Sequence, residues 1–165
     1  MEFFDVVDEN RKLLGYTKGR GMELEENEYN VGVEIWIIND KKLLITRRSL
    51  NKSHPGKWEV PGGCSKAGET SIESLIRETN EEIGISINNG DFELLDTVIY
   101  KKQFVDIYKS NKVIDLNEIT LQEDEVCDVK YVTKNEFLKM ASDGEIVGSV
   151  YNRYEIIKDK LEKDW

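Results

Sequence analysis

The segment from Pro61 to Ile85, PGGCSKAGETSIESLIRETNEEIGI, constrains the architecture more than any other stretch of this chain. Thr70 followed by Glu73 forms a capping box, in which each side chain satisfies a backbone N–H at the start of a helix. Apolar Ile72, Leu75, Ile76 and Ile83 then recur at helical spacing, and Gly84 supplies the residue that ends the run. On either side the period changes to two. Val31, Val33, Ile35 and Ile37 alternate as in a strand, Asn39 to Lys42 carry turn chemistry, and a second strand runs out to Arg47 and Arg48. Phe92 to Tyr100 and Phe104 to Tyr108 read as a strand pair, and Asp128 to Val132 as a further strand. A second capping box, Thr133 with Glu136, opens a short helix through Met140. Val150, Tyr154, Ile157 and Leu161 predict an amphipathic terminal helix over 149–163. A helix set among strands and hairpins predicts a mixed sheet covered by helices. The 165 residues suit one domain, 1–165, closed by that C-terminal helix.

The central helix also carries a cluster of carboxylates. Glu78, Glu81 and Glu82 stand at i, i+3 and i+4 on one face, where like charges cost a helix about 0.2–0.5 kcal/mol per pair. The apolar stripe lies elsewhere on the cylinder, so this face need not be buried against the core. Glu69 lies just before the helix, after the glycine-bearing loop from Gly62 to Gly68. Four carboxylates so placed could converge on one hard cation, and oxygen-only ligation favours magnesium or manganese. A merely solvated acidic face is the alternative reading of the helix taken alone.

Charge narrows the partners. With 23 basic and 33 acidic residues the net charge is −10 and the sequence pI near 4.8. Such a chain grips neither a nucleic-acid polymer nor an anionic membrane surface, whereas a bound divalent cation would let it take small phosphorylated molecules. Neither G-x-G-x-x-G nor G-x-x-x-x-G-K-[ST] occurs. Cys64 and Cys127 form no disulfide framework and no zinc pair, and no stretch approaches the roughly 20 apolar residues of a bilayer span. The N-terminus lacks a signal-peptide apolar run, so a cytoplasmic location is expected. The acidic run Glu23–Glu28, ELEENE, reads as a solvated loop.

The full spacing is Gly63, five residues, Glu69, seven residues, Arg77-Glu78, two residues, Glu81-Glu82, one residue, Gly84-Ile85. It resembles the signature of the Nudix (MutT-like) hydrolases, with one departure: Thr79 stands where that family usually has an aliphatic residue. Thr79 belongs to the core-facing side of the helix, so the departure concerns packing more than chemistry. The lead-in His54–Gly63, HPGKWEVPGG, and the strand ending in Arg47-Arg48 are also similar to the family. Residues 2–21 and 121–137 look like the Nudix branch whose sequences are similar to isopentenyl diphosphate isomerases.

The resemblance implies an α+β fold, an α/β/α sandwich around a mixed β-sheet. It implies metal-dependent hydrolysis of a phosphoanhydride in a nucleoside diphosphate linked to another moiety, or in a related small diphosphate. Glu78, Glu81 and Glu82, helped by the Gly62 carbonyl, would hold Mg2+ or Mn2+. Arg77 would orient a catalytic carboxylate, with Glu69 as its structural partner. The base would be Glu81 or Glu82, or, as in several branches, a residue of a later loop, here Glu123 or Glu125. Arg47 and Arg48 are the candidate phosphate contacts, and a homodimer would be common in the family. His54 is read as loop punctuation, and Trp36, Trp58 and Tyr131 as core residues before base-stacking platforms.

Two other readings have discriminating features. An isopentenyl diphosphate isomerase-like site needs a metal held by several histidines beside a cysteine; this chain has Cys64 near that position but only one histidine, His54. A non-catalytic nucleotide-binding module would be expected to lose metal-binding glutamates, and all three are present.

Overall fold

The computed structural model describes residues 1–165, beginning with a hairpin of β1 (Phe3–Val7) and β2 (Leu13–Gly19). β3 (Asn30–Asn39) and β4 (Lys42–Arg48) follow, joined by a tight turn whose Asp40 and Lys41 take positive φ, 47° and 59°. Positive φ at both turn residues matches the right-handed twist of the flanking strands. Then come β5 (Trp58–Glu59), β6 (Gly62–Cys64) and α1 (Ser71–Ile83). β7 (Glu93–Tyr100) and β8 (Gln103–Ser110) form a hairpin, followed by a 3-10 turn (Leu116–Glu118) and β9 (Val126–Thr133). Two helices end the chain, α2 (Lys134–Ser142) and α3 (Gly148–Leu161).

β3 is the hub. Along one edge it pairs in parallel with β8, from Asn30 opposite Gln103 to Ile37 opposite Ser110. Along the other it pairs antiparallel with β6 at Gly32–Glu34, and with β4 only at Ile38 and Asn39. β4 then diverges to pair along its length with β9, and at Thr46 and Arg47 with β5. The mixed sheet, of order β5-β4-β3-β8-β7, therefore forks between β3 and β4.

Both faces of the sheet are covered. Val33, Ile35, Ile37 and Leu44 pack with Leu75 and Ile83 of α1, whereas Trp36, Ile38, Leu43 and Ile45 pack with Phe137 of α2 and Tyr154 and Ile157 of α3. This is the expected α/β/α sandwich, and it explains why β3 is buried without interruption from Gly32 to Ile38. α1 keeps both predicted ends: Thr70 and Glu73 complete the capping box, and Gly84, at φ 69°, donates its N–H to Asn80 O. Thr79 is buried, and its hydroxyl donates to Leu75 O at 2.8 Å, which gives the polar substitution an internal partner. After α3 the chain turns back, and Trp165 enters an aromatic cluster with Phe137, Tyr154 and Trp36 at centroid separations of 5.1, 5.8 and 6.2 Å.

The N-terminal hairpin has no clear period in the sequence, because most of β2 faces solvent. One expectation needs correction. The acidic run Glu23–Glu28 is not solvated throughout: Glu28 is buried and accepts hydrogen bonds from Tyr16, Lys18 and the Glu25 N–H. No helix is long and apolar enough to cross a membrane.

Candidate active site

The carboxylate face of α1 turns towards β6. Glu82 is only 4% exposed, contrary to the expectation that this face could stay clear of the core, and the Gly62 N–H donates to its Oε2 at 3.1 Å. Burial, and then the neighbouring Glu59 and Glu78 charges, push the Glu82 carboxyl well above the usual carboxylate range. Glu78 is partly buried and is also pushed up, mainly by burial. Glu81, one residue before Glu82, is exposed. The approach of β6 to the helix requires glycine. A Cβ at Gly63 would overlap the Glu78 carboxyl, and one at Gly62 would overlap the Val33 carbonyl.

Arg77 organises this face. Its Nε and Nη2 grip Glu69 at 2.6 and 2.9 Å, and Nη2 also donates to Cys64 O at 3.2 Å. Nη1 reaches Glu78 at 2.7 Å and Glu81 at 3.0 Å. Burial alone would raise the Glu69 carboxyl, but Arg77, the Lys66 N–H and the Ser74 hydroxyl outweigh it and hold the pKa at about 2. Glu69 is thus bound to Arg77, whereas Glu82 is bound to the Gly62 N–H.

The donor set suits a hard divalent cation: carboxylate oxygens, of which the buried Glu82 has no cation paired with it, whereas Glu78 and Glu81 share Arg77. As the side chains stand, no three of them are gathered to ligate one ion, since Arg77 draws Glu78 and Glu81 to itself. Seating a metal requires those two carboxylates to exchange the guanidinium for the ion.

Two cavities meet at this point. One, of about 400 Å³ and without a hydrophobic lining residue, has Glu78, Glu81 and Glu82 on one wall and Lys52, Gln122 and Glu125 on the other. The second, of about 350 Å³, lies in the fork of the sheet between β3, β6 and the end of β4, and includes Glu34, Arg48, Glu59 and Arg153. Arg20, Lys52, Gly62 and Gly63 line both. Most cations here are already held: Arg48 donates to both oxygens of Glu59 at 2.7 and 2.9 Å, Arg153 pairs with Glu34 at 2.7 Å, and Lys52 pairs with Glu125.

The structure separates the sequence candidates. Gly62, Glu78, Glu81, Glu82 and Glu125 share the polar cavity, and Arg48 lines its neighbour. Glu123 lines neither, offering only its backbone carbonyl to Ser49. Arg47, alternating to the opposite side of β4, donates to Gly56 O at 2.9 Å and lies over Trp58. His54 takes a positive φ of 54° in an exposed loop, and Trp36 and Trp58 belong to the core. Tyr131 packs at the edge of the α1 core and donates to Ile114 O. The sequence reading overlooked Arg20, Lys52, Glu34, Glu59 and Arg153. Glu34 had a signal, a carboxylate within the apolar run VGVEIWII. The others come from loops or distant elements, with no periodicity to mark them.

Residues 28–151 match the NUDIX domain family. An uncharacterized Nudix hydrolase of Listeria monocytogenes is 35% identical over 150 residues, with 89% of each chain covered. Among solved structures, DR0079 from Deinococcus radiodurans is similar with a TM-score of 0.80 at 22% identity, covering 94% of this chain and 99% of that one. A bifunctional NMN adenylyltransferase/ADP ribose pyrophosphatase from Francisella tularensis, complexed with AMP and a Mn ion, has a TM-score of 0.66 at 20% identity over 80% of this chain and 42% of that one.

Proposed function

The chain belongs to the Nudix hydrolase family, and from that premise we propose that residues 1–165 form one metal-dependent hydrolase domain. Its substrate is a nucleoside diphosphate linked to another moiety, or a related small diphosphate, and the bond broken is the phosphoanhydride. The observation that carries this reading is the cavity with Glu78, Glu81 and Glu82 on one wall and a cation, Lys52, on the other. Glu78, Glu81, Glu82 and the Gly62 carbonyl would hold Mg2+ or Mn2+. When bound, the ion would neutralise diphosphate charge and acidify a water towards neutral pH.

The chain's own groups do the rest. Arg77, anchored through Glu69, would orient Glu78 and Glu81, both of which its Nη1 contacts. A carboxylate among Glu81, Glu82 and Glu125 takes the proton of the attacking water; of the two loop candidates, Glu125 rather than Glu123 faces the cavity. Arg48, held by Glu59, and Lys52, held by Glu125, would bring positive charge to the phosphates on exchanging those partners. The neighbouring cavity holds the organic part of the substrate.

The test is product release from a panel of sugar nucleotides, dinucleotides, ADP-ribose and isopentenyl diphosphate, with and without magnesium. We expect magnesium-dependent cleavage of at least one member. Glu82→Gln should lower turnover by at least about a hundredfold and weaken magnesium binding. Unchanged turnover and metal affinity in Glu82→Gln would sink the assignment, and isomerised isopentenyl diphosphate as the sole product would redirect it to Cys64.

A further inference from the structure

The N-terminal hairpin and the turn that follows it lie outside the matched span 28–151, yet they supply Phe4, Arg20 and Met22 to the cleft. The hairpin is fastened to the loop that precedes α1. The Ala67 N–H donates to Phe3 O at 2.8 Å, the Gly68 N–H donates to Asp5 Oδ2 at 2.7 Å, and Lys66 pairs with Glu2 at 3.1 Å. The hairpin is thereby held in a fixed relation to Glu69 and Arg77, which follow that loop.

Arg20 is one of four residues that line both cavities, and two of the others are glycines. It sits where a diphosphate would cross from the carboxylate wall to the pocket for the organic part. It also differs from the other cleft cations. Arg48, Arg153 and Lys52 each have a carboxylate partner and side chains no more than 18% exposed, and Lys66, 35% exposed, is shared between Glu2 and Glu81. Arg20 pairs only with Glu2, at 2.9 Å, and the two side chains are 54% and 48% exposed. A pair that open to solvent contributes little and is readily exchanged for a doubly charged phosphate.

We infer that Arg20 is a substrate-binding residue, carried at the end of the N-terminal hairpin, which grips the phosphate that remains with the organic part of the substrate. The inference rests on the diphosphate-hydrolase reading and adds to it a specificity element from outside the matched domain. Glu2 holds the guanidinium until the phosphate displaces it.

The probe is methylenediphosphonate, a non-hydrolysable diphosphate, titrated calorimetrically into the full chain with magnesium. Arg20→Ala should weaken binding by about tenfold or more, Arg20→Lys by less, and Glu2→Gln should bind as well as wild type or better. On a substrate found in the panel, Arg20→Ala should raise KM more than it lowers kcat. If Arg20 serves only to pin the hairpin, Arg20→Ala will lower stability and leave binding untouched, which overturns the inference. Wild-type binding in Arg20→Ala together with lost turnover in Glu82→Gln would remove the clamp while leaving the hydrolase reading intact. A wild type that neither binds the diphosphonate nor cleaves the panel would remove both.

Discussion

Gly62 and Gly63 are adjacent, yet their substitutions should fail in different ways. A Cβ at Gly62 meets the backbone of β3, which cannot move aside, so Gly62→Ala should destabilise the fold by about 1–3 kcal/mol. A Cβ at Gly63 meets the flexible end of Glu78, so Gly63→Ala should leave the denaturation midpoint nearly unchanged while weakening magnesium binding. Equal midpoints for the two variants would show that β6 yields more easily than its contacts imply. Glu69 gives a pH prediction at the same scale. Its folded pKa, about 2, lies below the ordinary value of 4.5, so its stabilisation is fully present above about pH 4.5 and is lost as pH falls through about 2. Discounted for solvent screening, the effect should be about 1 kcal/mol, seen as a flatter stability profile between pH 2 and 4.5 in Glu69→Gln. The thiol of Cys64, pushed up to about 11 mainly by burial, should alkylate far more slowly at pH 8 than exposed Cys127, and peptide mass spectrometry would read the order. At this scale the sequence marked the glutamates of α1 because they lie within one turn of each other. It could not mark Arg153, whose partner Glu34 is 119 residues away.

At the scale of elements, legibility followed local chemistry. α1 and α2 were readable because each begins with a side chain that closes a ring with its own third helical residue. Thr70→Ala should cost about 1 kcal/mol in chemical denaturation, with no change in the slope of the transition. A loss near zero would mean that packing of Leu75 and Ile83 alone determines the start of α1. α3 begins at Gly148, and its cap residue Val147 supplies no side-chain bond, so the expected span 149–163 starts one residue late and ends two residues late. β5 and β6, with two and three residues, are too short to display a period, and their pairing is imposed by β4 and β3. The N-terminal hairpin escaped notice for a different reason. It has no buried face of its own along β2, and it is held by bonds to the loop before α1 and by Val7 to Tyr29.

Across the whole molecule, the far core is closed by Trp165. Trp165 is buried among Trp36, Phe137 and Tyr154, so Trp165→Ala should lose about 3 kcal/mol. If urea denaturation of that variant matches the wild type, the C-terminus is an ornament to the core rather than part of it. The parallel pairing of β3 with β8 has a temporal consequence. Its first rung joins Asn30 to Gln103, so a loop of about 70 residues must close before the central ladder exists, and such non-local contacts form slowly. α1 lies inside that loop. During refolding the helix can form early on its own caps, but β6, which its glutamates face, is fixed only by pairing with β3, and Gln122 and Glu125 of the cavity come from beyond β8. Competence to bind magnesium should therefore arrive late, with the quenching or shift of Trp36 fluorescence rather than with the first helical signal. A newly made chain spends that interval with the β8 edge of VGVEIWII, its most apolar strand, unpaired.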